Sequence, residues 1–211
     1  MQYDAGRVKE KWTRWLPILL MVAFALTRWP GLLPWNFSAF YALAFCGGVF
    51  LPRRLAWWLP LVTLAITDVL LNFWHTSKGY NAWQPEILFN YVAAAAIIWL
   101  GTRFSARSAW WKLVCGGLLS AIVFYLITNT ASWFLNPFNN PEYVKTLHGW
   151  LIALTKGTTG YPETWQFFRN TLLSGGLFTA LFAGAMKLGE AAEPAEETEE
   201  EPEAEPEPEK T

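Results

Sequence analysis

From Trp15 to Leu188 the chain is a succession of apolar runs, each as long as a bilayer is thick or nearly so, separated by short turns. About 20 predominantly apolar residues in a helix cover a hydrocarbon core ~30 Å thick. Inside hydrocarbon a helix also satisfies its own backbone hydrogen bonds. The runs at Trp15–Thr27, Phe37–Leu51, Leu55–Trp74, Glu86–Leu100, Leu113–Leu135 and Thr164–Leu188 therefore predict six spanning helices. With 53% hydrophobic and 16% charged residues, too little charge remains to solvate a soluble domain with this many apolar stretches. The expected fold class is an all-α integral membrane protein, a six-transmembrane-helix bundle.

The first run also fits a signal peptide, with a basic start, a short apolar core and Ala23-Phe24-Ala25 as a cleavage site. Trp12, Trp15 and Trp29 bracket it as interfacial anchors would, which favours a retained helix. The connection from Asn136 to Pro162 is long, and its middle, Tyr143–Thr155, is helix-like but too short to span. It is expected as an interfacial or re-entrant helix before the last span. Gly47-Gly48, Gly116-Gly117 and Gly175-Gly176 read as packing notches between helices, since none lies between a strand and a helix as a phosphate loop would.

A net charge of −1 conceals two opposite parts. Residues 190–211 carry eleven Glu and one Lys, whereas residues 1–189 carry fifteen Lys/Arg against six Asp/Glu. The chain divides into a basic arm (1–14), a membrane domain (15–188) and a Glu/Pro-rich tail (189–211) too polar to bury a core and expected to be disordered. Six spans place both termini on one side. Arg7, Lys9, Lys11, Arg14, Arg53, Arg54, Arg103, Arg107, Lys112 and Lys187 share that side, which the positive-inside rule makes cytoplasmic. The expected location is a bacterial inner membrane, crossed several times. Neither Cys46 nor Cys115 belongs to a disulfide or metal pattern, and two His are too few for a His/Cys zinc site.

Within the apolar runs the polar residues are ordered. Tyr125, Asn129, Ser132 and Asn136 fall at i, i+4, i+7 and i+11, and Asp68, Asn72 and His75 repeat the spacing, so each set shares one helical face. Amides and a carboxylate in hydrocarbon must face protein or a wet cavity. With the topology above, these residues, Asn36, Glu86, Asn90, Gln166, Arg169 and Asn170 all lie in one outer layer. The inner halves of the helices are nearly all apolar, unlike a pore, which needs polar groups throughout its depth. The pattern points to a dead-end pocket that opens outward, with walls such as Tyr125 and Trp133. The structural alternatives are an Asp68–Arg169 pair that locks two helices, and Asn129 as helix–helix glue. His75 and His148 as haem ligands are disfavoured by the lack of a c-type attachment motif. No nucleotide loop, nucleophile elbow or zinc-protease motif is present, and no cofactor is expected.

Asn36-Phe37-Ser38, then Ala42-Leu43-Ala44-Phe45 with Gly47, then Thr67-Asp68, then Thr128-Asn129 with Trp133, and finally Phe167-Phe168-Arg169-Asn170-Thr171-Leu172-Leu173 with Phe178-Thr179 form an ordered series. It spans Pro34 to Phe182 and resembles a little-characterised family of membrane transport proteins, itself similar to the substrate-capturing (S) components of energy-coupling factor (ECF) transporters. The resemblance implies a six-helix subunit that binds a vitamin-like molecule from outside and relies on a separate transmembrane coupling subunit with two ATPases. On this reading the Arg28–Asn36 loop is a lid and Asn36, Asp68, Asn72, Tyr125, Asn129, Trp133, Arg169 and Asn170 form the substrate site. The partners are then a small molecule and the bilayer, with no nucleic acid. The alternatives are a small polytopic membrane enzyme that uses Asp68 or His75 as a general base, or a membrane scaffold whose acidic tail recruits a partner.

Overall fold

The computed structural model describes residues 21–79, 85 and 87–191. The basic arm, the start of the first run, Glu86 and the tail from 192 onward lie outside the described residues. The described residues form seven helices: α1 (21–27), α2 (Phe40–Phe50), α3 (Arg53–Ser77), α4 (Ile87–Gly101), α5 (Trp110–Leu135), α6 (Leu147–Thr155) and α7 (Thr164–Ala191). No strand occurs among the described residues.

Among the described residues three helices are long and apolar enough to cross a membrane: α3, α5 and α7 up to Leu188. Only 33%, 33% and 28% of their most apolar windows is buried inside the protein. The rest is an apolar outer surface, far more than a monomer in water exposes. On α3, Trp58, Val62, Ile66, Leu70 and Phe73 point outward, whereas Ala56, Pro60, Leu64, Thr67, Asp68 and Asn72 are buried. The apolar face is outside and the polar residues are inside, the inverse of a helix in a soluble protein.

The two shorter apolar helices differ from the expected spans for a physical reason. At 1.5 Å per residue, α2 is roughly 16 Å long and α4 roughly 22 Å. The start of α2 is delayed to Phe40 by a turn in which Phe37 N–H donates to Pro34 O and Asn36 adopts φ 59°. Residues Phe40 to Gly47 are all buried, enclosed by α3, α4, α5 and α7. A helix wrapped by protein on every side need not match the bilayer thickness.

Small residues bring these helices together. Gly48 of α2 lies against Ile98 O and Gly101 of α4, and Gly101 lies against Phe45 O, so a Cβ at either glycine would overlap backbone. Gly117 of α5 meets Thr179 of α7, while Gly175 meets Ala121, which makes α5 and α7 antiparallel. The glycine pairs are therefore packing notches. Trp110 Nε1 donates to Ala180 O and Lys187 Nζ to Ala106 O, so the end of α7 sits beside the 102–109 turn. Arg53, Arg54, Arg103, Arg107, Lys112 and Lys187 thus gather at one end of the bundle. Asp68, Glu142 and Glu163 lie towards the other, together with Arg28, Lys78, Lys145, Lys156 and Arg169.

Candidate functional site

At the less basic end, the C-terminal turns of α5, the start of α7 and the long connection between them enclose a cavity of about 410 Å³. Each wall is fixed by bonds that the local sequence supplies. Asn136 ends α5 in the left-handed region (φ 43°), with its N–H donating to Ser132 O. Its side chain then grips Asn140 twice: Asn136 Nδ2 donates to Asn140 O (3.0 Å), and Asn140 N–H donates to Asn136 Oδ1 (2.8 Å). Asn tolerates this backbone conformation, which a β-branched residue would not. Trp133 Nε1 donates to Val144 O (2.8 Å), and Lys145 reaches back to the carbonyls of Trp133 and Phe134 at the end of α5. A cation at a helix C-terminus satisfies carbonyls that have no partner in the helix and complements the dipole.

Beyond this strap, Thr146 caps α6 by accepting from Gly149 N–H. The helix docks on α5 through Tyr125 O–H donating to Leu154 O and Trp150 Nε1 donating to Thr130 Oγ1 (2.9 Å). Gly157 (φ 76°) turns the chain, and its N–H donates to Ile152 O. The carboxylate of Glu142 then accepts from both Thr159 N–H (3.1 Å) and Thr159 Oγ1 (2.7 Å), clasping the two loops that flank the cavity. These bonds hold the Glu142 carboxyl below its ordinary value. Burial, and then the charge of Glu142, push the Tyr143 phenol above its own.

The lining combines rings (Phe138, Tyr143, Tyr161, Phe167) with small polar groups (Asn129, Ser132, Thr158, Thr164). Asn129 Nδ2 donates to Tyr125 O (2.9 Å), which leaves its Oδ1 as an acceptor without a partner among the described residues. Phe138 and Tyr161 are largely exposed and form the rim. No lining residue carries a formal charge.

Of the eight residues expected at the site, Asn129 lines this cavity. Tyr125 and Trp133 act one step behind it, the first on α6 and against the Phe168 ring, the second on the 136–146 strap. Asn170 Nδ2 donates to Trp35 O (3.0 Å), next to a stacked pair of Trp35 and Phe167, so it ties the 29–36 loop to α7. Asn36 is exposed in that loop, and its carbonyl accepts from Tyr41 O–H.

Asp68 and Asn72 are apart from the cavity lining, buried at 6% and 4% exposure. Asp68 pairs with Arg28, at 2.6 Å, and not with Arg169, whose guanidinium lies over the Trp165 ring. Arg28 reaches Asp68 because the end of α1 packs beside α3, where its Nη1 also donates to Thr67 Oγ1 (2.5 Å). Asp68 Oδ2 and Asn72 Oδ1 are buried without a hydrogen-bond partner among the described residues.

Sequence reasoning missed Arg28 as the ion-pair partner and the walls contributed by residues 137–162. The available signal was that connection itself, unusually long and rich in aromatic, Asn and Thr residues; loops of that length are commonly functional. A second, smaller cavity of about 150 Å³ lies between α1, α2 and α7, lined by Ala23, Leu43, Phe178, Phe182 and other apolar residues. It offers no polar group for recognition.

No curated protein and no solved structure matches the chain. Residues 9–196 match a family of unknown function, DUF6580, and with most of its length covered the chain belongs to that family.

Proposed function

We propose that this protein is a membrane subunit that captures a small molecule in the α5–α7 cavity and delivers it for uptake. The carrying observation is the cavity: about 410 Å³, within the range of small-molecule sites, and walled by rings with a few polar groups. Its position supports the direction of capture. Six described basic residues and the four of the N-terminal arm at the opposite end, against five at the cavity end, favour the opposite end as cytoplasmic, which turns the cavity outward. On this reading α1, α2 and α4 complete a six-span bundle with both termini in the cytoplasm of a bacterial cell, and the bilayer is the inner membrane.

Capture alone moves nothing against a gradient. The resemblance to ECF S components supplies the remaining part of the proposal, a separate coupling subunit with two ATPases. The test is native mass spectrometry of the protein extracted gently from its own membranes. A compound should be retained unchanged by the wild type and lost on Asn129→Ala. A retained compound that emerges chemically altered would favour an enzyme instead, and no retained compound would count against capture.

A further inference from the structure

We infer that the ligand is an uncharged, planar heterocycle with an amide-type edge; the inference rests on the capture reading and specifies it. The first argument is electrostatic. The twelve lining residues include no Asp, Glu, Lys, Arg or His, and two charged groups on the strap beside the cavity are already engaged. Glu142 accepts two bonds from Thr159, and Lys145 donates to the carbonyls ending α5. A charged ligand would lose hydration on entering and find no counter-charge in the wall. An uncharged ligand escapes that penalty.

The second argument is shape. Phe138, Tyr143, Tyr161 and Phe167 contribute rings from three different segments, and Phe167 is braced from behind by Trp35 at 5.7 Å with an interplanar angle of 5°. Aromatic rings on several sides of a cavity favour a flat partner that stacks or meets them edge-on. The cavity has room for one to three fused rings, since small-molecule sites of ~300–1,000 Å³ take drug-sized ligands.

The third argument is the polar pattern. Asn129 gives one Nδ2 hydrogen to Tyr125 O, which leaves Oδ1 as an acceptor beside the second Nδ2 hydrogen as a donor. One turn further along the same face, the Ser132 hydroxyl donates or accepts. An acceptor beside a hydroxyl matches a ring N–H next to a carbonyl, as in a lactam or carboxamide.

The full-length purified chain distinguishes these cases with matched heteroarenes of one to three rings, each offered as neutral amide, carboxylate and N-methyl cation. Nicotinamide, nicotinate and 1-methylnicotinamide form the smallest set. Ligand-observed NMR should show neutral amides bound at least tenfold more tightly than their charged counterparts. Asn129→Leu should abolish that preference, and Asn129→Asp, of nearly equal size, should shift it towards the cations. Ser132→Ala, which removes only a hydroxyl, should weaken amide binding and serves if Asn129→Leu does not fold. Carboxylates or cations bound as well as amides by the wild type would overturn the inference, as would failure of every amide to bind. Both results leave capture standing if native mass spectrometry still finds a retained compound.

Discussion

The guanidinium of Arg28 lies 2.6 Å from the carboxylate of Asp68, joining the end of α1 to α3 across forty positions of sequence. Removing one partner of a buried pair leaves the other charge uncompensated, at a cost of ~3–5 kcal/mol. Arg28 retains some exposure, so Asp68→Asn is expected near the lower end, about 3 kcal/mol in detergent melts. The double change Arg28→Gln with Asp68→Asn should recover part of the loss, whereas Arg169→Gln alone should stay within about 0.5 kcal/mol of wild type. A double variant no more stable than Asp68→Asn would show that the pair is not the source.

Asn129 and Asn170 separate recognition from packing. Interhelical polar contacts in membranes average ~0.6 kcal/mol, so Asn129→Ala should melt close to wild type. It should nevertheless weaken ligand binding by about 1–3 kcal/mol, because it removes an acceptor from the cavity wall. Asn170→Ala frees the 29–36 loop from α7 and is expected to show the converse: loosened loop protection in hydrogen exchange with ligand affinity changed less than threefold. Equal losses of affinity in both variants would defeat the distinction.

The Glu142–Thr159 clasp should respond to acid. Its folded-state carboxyl is lowered by the bonds from Thr159, so its contribution is present at neutral pH. That contribution is lost as pH falls through the lowered folded value, which lies below the ordinary 4.5. Glu142→Gln should reproduce the open clasp at neutral pH and make the protection factors at 157–161, corrected for intrinsic exchange, independent of acid. Wild-type protection factors there no higher at neutral pH than those of Glu142→Gln would refute the clasp.

Sidedness can be read with single cysteines in a background lacking Cys46 and Cys115. Lys78→Cys, at the cavity end, should react with an impermeant maleimide in intact cells, and Ser105→Cys, beside the α7 terminus, should not. Reversal would turn the cavity towards the cytoplasm and end the uptake reading.

The helices were legible because apolar length and inward-facing polar residues are both written locally, as in α3 and α5. Which polar residues meet a ligand was not legible. Asn72 Nδ2 donates to Asp68 O, Asn129 Nδ2 to Tyr125 O, and Thr67 Oγ1 to Thr63 O, all four residues back. Each finds a partner within its own helix for at least one of its polar groups, so a polar stripe alone does not distinguish a binding wall from a quiet one. The cavity's remaining walls lie in 137–162, where turns and side-chain bonds rather than periodicity set the path. Arg28 was hidden for a related reason: its partner is fixed by how α1 packs on α3, which no local spacing records.

The enclosure of α2 has a consequence for biogenesis. At eleven residues it is too short to cross a bilayer as an independent segment, yet it is synthesised before α3, α4, α5 and α7, all of which surround it. During synthesis it remains partly uncovered until α7 leaves the ribosome. A chain arrested before Thr164 would still present one flank of α2 to lipid or chaperone. Completion of the fold is therefore tied to arrival of the last helix, which also brings Thr164 and Phe167 to the cavity, so the membrane core and the binding wall close in the same step.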